Sequence, residues 1–195
     1  MSNSIQVIDD FLPPEVFQTL ASSLIEIEGY KCIDFAAHES EADGSRFSFG
    51  QENPNPNAKL HEATAMFILF ENSANTAYDK VHFLNYYLRE EIKVLHDALN
   101  VKKMNVMRAA CTYAAQENYR SAFHTDANAH PYEQKMKTAV LYLNSNNGGT
   151  QIKDGRFVQS KVNRIVIFPW NQEHAGVWCT DKKLRFVLNL NYTEK

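Results

Sequence analysis

The chain has 195 residues, 44% hydrophobic and 22% charged, with a formal net charge of −3. That composition suits one soluble globular domain of ordinary size. The mild acidity speaks against a dominant phosphate-binding surface, because nucleic-acid affinity rests on clustered Lys and Arg. Apolar runs such as Ile165–Phe168 are far too short to cross a bilayer. Met1–Gln6 has neither a basic region nor a long apolar run, so no signal peptide is expected. Cys32, Cys111 and Cys179 are odd in number and lack a CxxC pattern, which reads as free thiols in a reducing, cytoplasmic setting.

Ile5–Leu12 predicts a short strand, closed by Pro13-Pro14. Proline is well placed to open a helix, where a missing N–H costs little. Val16, Phe17, Leu20, Ala21, Leu24 and Ile25 then recur at helical spacing towards Gly29. His38–His61 is a polar stretch holding Gly44, Gly50, Pro54 and Pro56. It reads as a long loop with Phe47 and Phe49 on a short strand inside it, a length that in compact domains often marks function. A second helix is expected from about Tyr78 to Asn100, with Val81, Leu84, Leu88, Ile92 and Leu95 on one face.

Past Val101 the pattern turns to short β-rich runs: Arg108–Ala115, Ala122–Thr125, Thr138–Asn144, Thr150–Ile152, Arg156–Gln159, Arg164–Phe168, His174–Trp178 and Leu184–Tyr192. Asn146-Asn147-Gly148-Gly149, Asp154-Gly155 and Ala175-Gly176 supply turn signals between them. Helices followed by many short strands predict an α+β chain, with the N-terminal helices packed on the major sheet of a jelly-roll barrel.

The chemistry centres on His124-Thr125-Asp126. On a strand, residues two apart point to the same face, so an imidazole and a carboxylate converge. His174, which opens a later strand, is the best third ligand. Two histidines and one carboxylate leave coordination positions open, which suits non-heme Fe(II) better than a closed structural zinc site. His130 lies beyond the strand and is not taken as a ligand. Arg185 follows His174 on the next strand, flanked by Leu184 and Phe186. A buried guanidinium there calls for a partner, and a dicarboxylate co-substrate would supply one.

Several pieces together resemble the prolyl 4-hydroxylase-type 2-oxoglutarate/Fe(II) oxygenases. They are Phe123-His124-Thr125-Asp126, Leu141-Tyr142-Leu143-Asn144, Gly148-Gly149-Thr150-Gln151-Ile152, Asn163–Phe168, His174-Ala175-Gly176-Val177 and Arg185–Asn189, with Val7–Leu12 resembling the family's opening. The resemblance implies a double-stranded β-helix filling residues 1–195 as a single domain. Residues 1–104 would be the N-terminal strand, helices and substrate loop, and residues 105–195 the β-helix core. It implies Fe(II) on His124, Asp126 and His174, and 2-oxoglutarate held by Arg185 and Tyr142, with Tyr113 a further active-site tyrosine. O2 would be consumed, with ascorbate as an accessory reductant. Arg46, Phe47 and Phe49 would belong to a substrate loop.

The reaction implied is C–H hydroxylation, first of a prolyl or other amino-acid side chain in a protein or peptide, and second of a small molecule. Asn191 stands where the nucleic-acid demethylase branch would carry a second basic residue, which places nucleic acid third. Two other classes compete: a cupin-like or zinc-dependent enzyme on the same three ligands, and a non-catalytic barrel that binds a ligand or partner. The first has no need of Arg185 and Tyr142 facing inward, and an intact triad with a cation beside it argues against the second. No membrane partner is expected, and the sequence carries no sign of oligomeric state.

Overall fold

The computed structural model describes residues 4–25, 31–33, 64–71, 88–117, 119–126 and 136–195. In chain order these form β1 (Gln6–Ile8), α1 (Pro14–Ile25), β2 (Lys31–Ile33), β3 (Thr64–Glu71), α2 (Arg89–Ala98), β4 (Val101–Tyr113), β5 (Met136–Tyr142), β6 (Gly149–Ile152), β7 (Phe157–Gln159), β8 (Ile165–Pro169), β9 (His174–Val177) and β10 (Leu184–Glu194). Seven strands make one sheet in the order β1-β8-β5-β10-β4-β3-β2, and three make a second in the order β7-β6-β9. Every pairing is antiparallel.

The two faces of the large sheet do different work. On one face Phe17, Leu20 and Leu24 of α1 and Ile92 and Leu95 of α2 join Met107, Ala109, Leu141, Ile167, Phe186 and Leu188 in the larger core. Leu20, Leu24 and Leu95 are fully buried there, each worth about 2 kcal/mol of transfer free energy. On the other face Ala110, Val140, Tyr142, Val166, Phe168 and Val187 pack against Ile152 of β6 and Val158 of β7. This second cluster joins the two sheets. Strands β4, β5, β8 and β10 are therefore covered on both faces, which is why Ile165–Phe168 reads as a continuous apolar run instead of an alternation.

Helix α1 begins as its sequence dictates. Pro14 is the first residue of α1, with its predecessor's carbonyl accepting the Phe17 N–H at 2.9 Å. The N-terminal strand is tied back by Asn163, whose amide group bonds both the N–H (3.0 Å) and the carbonyl (2.8 Å) of Leu12. Asn163 itself sits at φ 57, a left-handed conformation that Asn tolerates better than most residues. Gly149 cannot carry a side chain: a Cβ would lie 2.3 Å from the Val158 carbonyl oxygen, across the β6–β7 hairpin.

Several expectations need correction. Strand β4 starts at Val101, not Arg108; the exposed Lys102 and Lys103 hide its alternation. Strand β3 had no counterpart in the sequence pattern, because a short continuous apolar run fits helix or strand equally. Ala122–Thr125 is not a regular strand but a segment bridged to β9 at His124. Ala175-Gly176 is not a turn; both residues lie inside β9. The expected helix before Leu88, the end of α1 past Ile25, and the whole His38–His61 loop lie outside the described residues. No described helix is long and apolar enough to cross a membrane.

Candidate metal centre

His124 and His174 are brought together by backbone pairing. The His124 N–H donates to the His174 carbonyl at 3.0 Å, and the His174 N–H returns the bond at 2.9 Å. The two imidazoles lie 4.5 Å apart, centroid to centroid. Asp126 is placed two residues on by its own N–H, which donates to the Trp170 carbonyl at 3.0 Å. One potential ligand atom from each of His124, Asp126 and His174 falls within 4.8 Å of the others. Metal–ligand bonds of about 2 Å put any two ligands no more than ~4 Å apart, so one small cation could touch all three after a movement of about 1 Å.

The surroundings favour that use. His174 Nδ1 lies 2.9 Å from the Gln172 carbonyl oxygen, and His124 Nδ1 lies 3.3 Å from that of Ala122. A carbonyl acceptor draws the ring proton to Nδ1 and makes Nε2 the lone-pair donor in each. Asp126 Oδ2 accepts from the Thr138 hydroxyl at 2.6 Å and from Asn191 Nδ2 at 2.8 Å. Asn191 Nδ2 also donates to Thr138 Oγ1 at 3.0 Å, and the two residues are direct cross-strand partners on β10 and β5. Burial alone would push the Asp126 carboxyl up, but the two imidazoles and these two hydrogen bonds outweigh it and hold the group below its ordinary range. The site is thus an ionised carboxylate beside two oriented imidazoles, a donor set that suits Fe(II) with coordination positions left open. Among the described residues no thiol joins it: Cys179 donates to the Lys182 carbonyl, and Cys111 packs in the core on the helix side.

Arg185 lies on the same wall. Along β10, Phe186, Leu188, Leu190 and Tyr192 face the helices, so by alternation Arg185, Val187, Asn189 and Asn191 face the space between the sheets. Arg185 is 6% exposed. Its Nε donates to Ser160 Oγ at 3.2 Å and its guanidinium to the Gly149 carbonyl at 3.1 Å. Both acceptors are neutral, and no carboxylate among the described residues pairs with it. Burial pushes the guanidinium downward, yet an arginine remains charged.

Tyr142 is fully buried beside it, with the guanidinium carbon 5.8 Å from the ring centroid. Its hydroxyl bonds Thr150 Oγ1 at 2.8 Å and the Val158 carbonyl at 3.1 Å. Burial raises the phenol, so it stays protonated at neutral pH.

Tyr113 is not brought to the site. It is 46% exposed, and its parity along β4 is that of Ala109 and Cys111 on the helix side. The inward position is that of Thr112. Arg46, Phe47 and Phe49 lie outside the described residues. Trp178 is buried with its ring edge-on to Tyr119 at 5.2 Å, while Trp170 supplies the backbone carbonyl that seats Asp126. Thr138 and Asn191, which hold Asp126, carried one sequence signal: polar residues at inward positions of apolar strands.

No family model matches the chain, and no curated protein does. Solved structures do. A prolyl-4-hydroxylase from Pseudomonas putida aligns over 98% of this chain and 92% of its own, at 16% identity and a TM-score of 0.51. A 2OG-Fe(II) oxygenase family oxidoreductase from Burkholderia pseudomallei aligns over 97% and 84%, at 9% identity and 0.59. A Trichoplax adhaerens prolyl hydroxylase, solved with a hypoxia inducible factor peptide fragment, aligns over 99% and 84%, at 14% identity and 0.57. The chain shares the fold of the 2OG-Fe(II) oxygenases. Its His124–Asp126–His174 group, built independently from geometry, is a donor set that could serve such an enzyme's iron.

Proposed function

We propose that this protein is a single-domain Fe(II)- and 2-oxoglutarate-dependent dioxygenase that hydroxylates a C–H bond. On this reading its two sheets are the walls of a double-stranded β-helix. His124, Asp126 and His174 would hold Fe(II), and Arg185 the far carboxylate of 2-oxoglutarate. The observation that carries the reading is Arg185, a buried cation without a carboxylate among the described residues, on the wall that also anchors Asp126 through Asn191. A metal trio alone would equally serve a zinc enzyme, which has no use for such a cation.

Bound iron with 2-oxoglutarate and O2 would supply oxidation of an unactivated C–H bond, giving hydroxylated product, succinate and carbon dioxide. The protein's own part is positional. Asn191 and Thr138 hold the carboxylate ligand, the Gln172 and Ala122 carbonyls fix the imidazoles, and the protonated Tyr142 braces Thr150 beside Arg185. The apolar wall of Val140, Val166, Phe168 and Val187 limits water around a reactive centre.

The substrate reading is an amino-acid side chain of a protein or peptide, prolyl first. Two of the similar structures are prolyl hydroxylases, one carrying a peptide. The segment bearing Arg46, Phe47 and Phe49, which lies outside the described residues, would contact such a peptide substrate. Net charge −3 and an Asn191 committed to Asp126 favour peptide over nucleic acid. The buried thiols of Cys111 and Cys179, neither of them in a disulfide, fit a cytoplasmic enzyme, and ascorbate would keep the iron ferrous.

The test is succinate release from anaerobically prepared protein given Fe(II), 2-oxoglutarate and ascorbate, then O2, alongside the metal-to-ligand absorption band before O2. Wild type should show the band, and His124→Ala should lose both band and succinate. Absence of both in wild type would transfer the site to a zinc enzyme or a binding module.

A further inference from the structure

Thr112 and Arg185 are direct cross-strand partners on β4 and β10. Such partners project from the same face of the sheet with Cα atoms about 5 Å apart. That face is the one between the sheets, shared by their neighbours Ala110 and Val187. Thr112 is 6% exposed, and its Oγ1 has no hydrogen-bond partner among the described residues. Buried polar atoms are nearly always satisfied, so an orphan of this kind needs an explanation. Beside it sits a cation just as buried, spending its donors on a neutral hydroxyl and a neutral carbonyl. The nearby Tyr142 hydroxyl is already engaged with Thr150 and Val158. An unused donor and an unpaired cation, side by side in one interior, describe the two halves of an anion site.

We propose that the Thr112 hydroxyl donates to the carboxylate that Arg185 binds, at the strand position next to the Tyr113 that the family resemblance had implied. The inference rests on the dioxygenase reading, in that the carboxylate is the far one of 2-oxoglutarate. Thr112 is a binding residue, remote from the reacting carbon. It selects a keto acid with a second carboxylate over one without.

The experiment measures anaerobic binding to the Fe(II)-loaded protein by the metal-to-ligand absorption band, for 2-oxoglutarate and for 2-oxopentanoate, which lacks the far carboxylate. Wild type, Thr112→Val and Thr112→Ser are compared, with melting temperatures of the ligand-free proteins. A hydrogen bond to a charged acceptor corresponds to about tenfold or more in affinity. Thr112→Val should therefore bind 2-oxoglutarate about tenfold more weakly, while its affinity for 2-oxopentanoate stays within twofold of wild type. Thr112→Ser should restore most of the loss. The ligand-free Thr112→Val should melt no lower than wild type, since it removes an orphaned buried hydroxyl at nearly constant shape. Equal 2-oxoglutarate affinity in wild type and Thr112→Val, or equal weakening in the Val and Ser variants, overturns the role of Thr112 and leaves the dioxygenase reading intact. Wild type that binds neither keto acid overturns both.

Discussion

Replacing Thr138 by valine removes one hydroxyl and almost no volume from behind the Asp126 carboxylate. Asp126 Oδ2 receives the Thr138 hydroxyl at 2.6 Å and Asn191 Nδ2 at 2.8 Å, and Thr138 is 2% exposed. Water has little access to replace the lost donor. A hydrogen bond to a charged group is worth roughly 1.5–3 kcal/mol, and loss of a group that orients a metal ligand typically costs 10–100-fold in metal affinity. The two figures agree, since tenfold is about 1.4 kcal/mol. Thr138→Val should therefore bind Mn(II), a redox-quiet stand-in for Fe(II), 10–100-fold more weakly by calorimetry or electron paramagnetic resonance. Asn191→Leu should do the same, and the double variant should lose less than the sum, because Asn191 also bonds Thr138 at 3.0 Å. At saturating metal, 2-oxoglutarate affinity should be unchanged. Mn(II) affinity within twofold of wild type in both single variants would refute the claim that these side chains set the ligand.

Asn163→Ala removes both bonds to the buried Leu12 backbone and puts alanine at φ 57. Chemical denaturation should show a loss of ~2–4 kcal/mol, with Asn163→Gly less destabilised because glycine accepts that backbone. Asp9 is held well below the usual carboxylate range by hydrogen bonds from Arg164 and Lys161. A depressed carboxyl stabilises the fold above its unfolded value and stops doing so as pH falls through its folded value. Asp9→Asn should therefore melt lower than wild type near neutral pH, and the difference should shrink steadily below pH ~4; a constant gap down to pH 2 would contradict the pairing.

The candidate metal-binding group and the buried cation were legible because their chemistry resides in residue type and spacing. His124 and Asp126 two apart, His174 at the head of a strand, and Arg185 among apolar neighbours need no knowledge of which strands pair. The roles of Thr138, Asn191 and Thr112 were not legible for the opposite reason. Each matters only through a cross-strand neighbour or a loop residue far away in sequence, so a polar residue among apolar ones marks a position without telling what it serves. Tyr113 shows how narrow the margin is: a one-residue shift in parity turns a side chain from the interior to the opposite face. The secondary structure divides likewise. Punctuated strands such as β6, β7 and β10 were predicted nearly in place. Strand β3, a continuous apolar run, and the start of β4, where Lys102 and Lys103 are both exposed, lacked the clean alternation that would mark them.

Strand β10 carries the conflict between stability and function on its two faces. Phe186, Leu188, Leu190 and Tyr192 bury against the helices and anchor the strand, while Arg185 and Asn191 stand in the interior where apolar residues would pack at lower cost. A buried guanidinium facing neutral acceptors is poorly compensated until an anion arrives. Ligand should then stabilise the fold by mass action. At a hundredfold excess over its dissociation constant, 2-oxoglutarate contributes about 2.7 kcal/mol. For a chain of this length each kcal/mol moves the melting temperature by about 2–4 °C, so metal-loaded wild type should melt roughly 5–11 °C higher with 2-oxoglutarate than without. Arg185→Ala should lose that shift at the same concentration but retain the separate increment from metal alone. If Arg185→Ala keeps the full shift, the cation is structural, and the far end of the co-substrate site lies elsewhere in the fold.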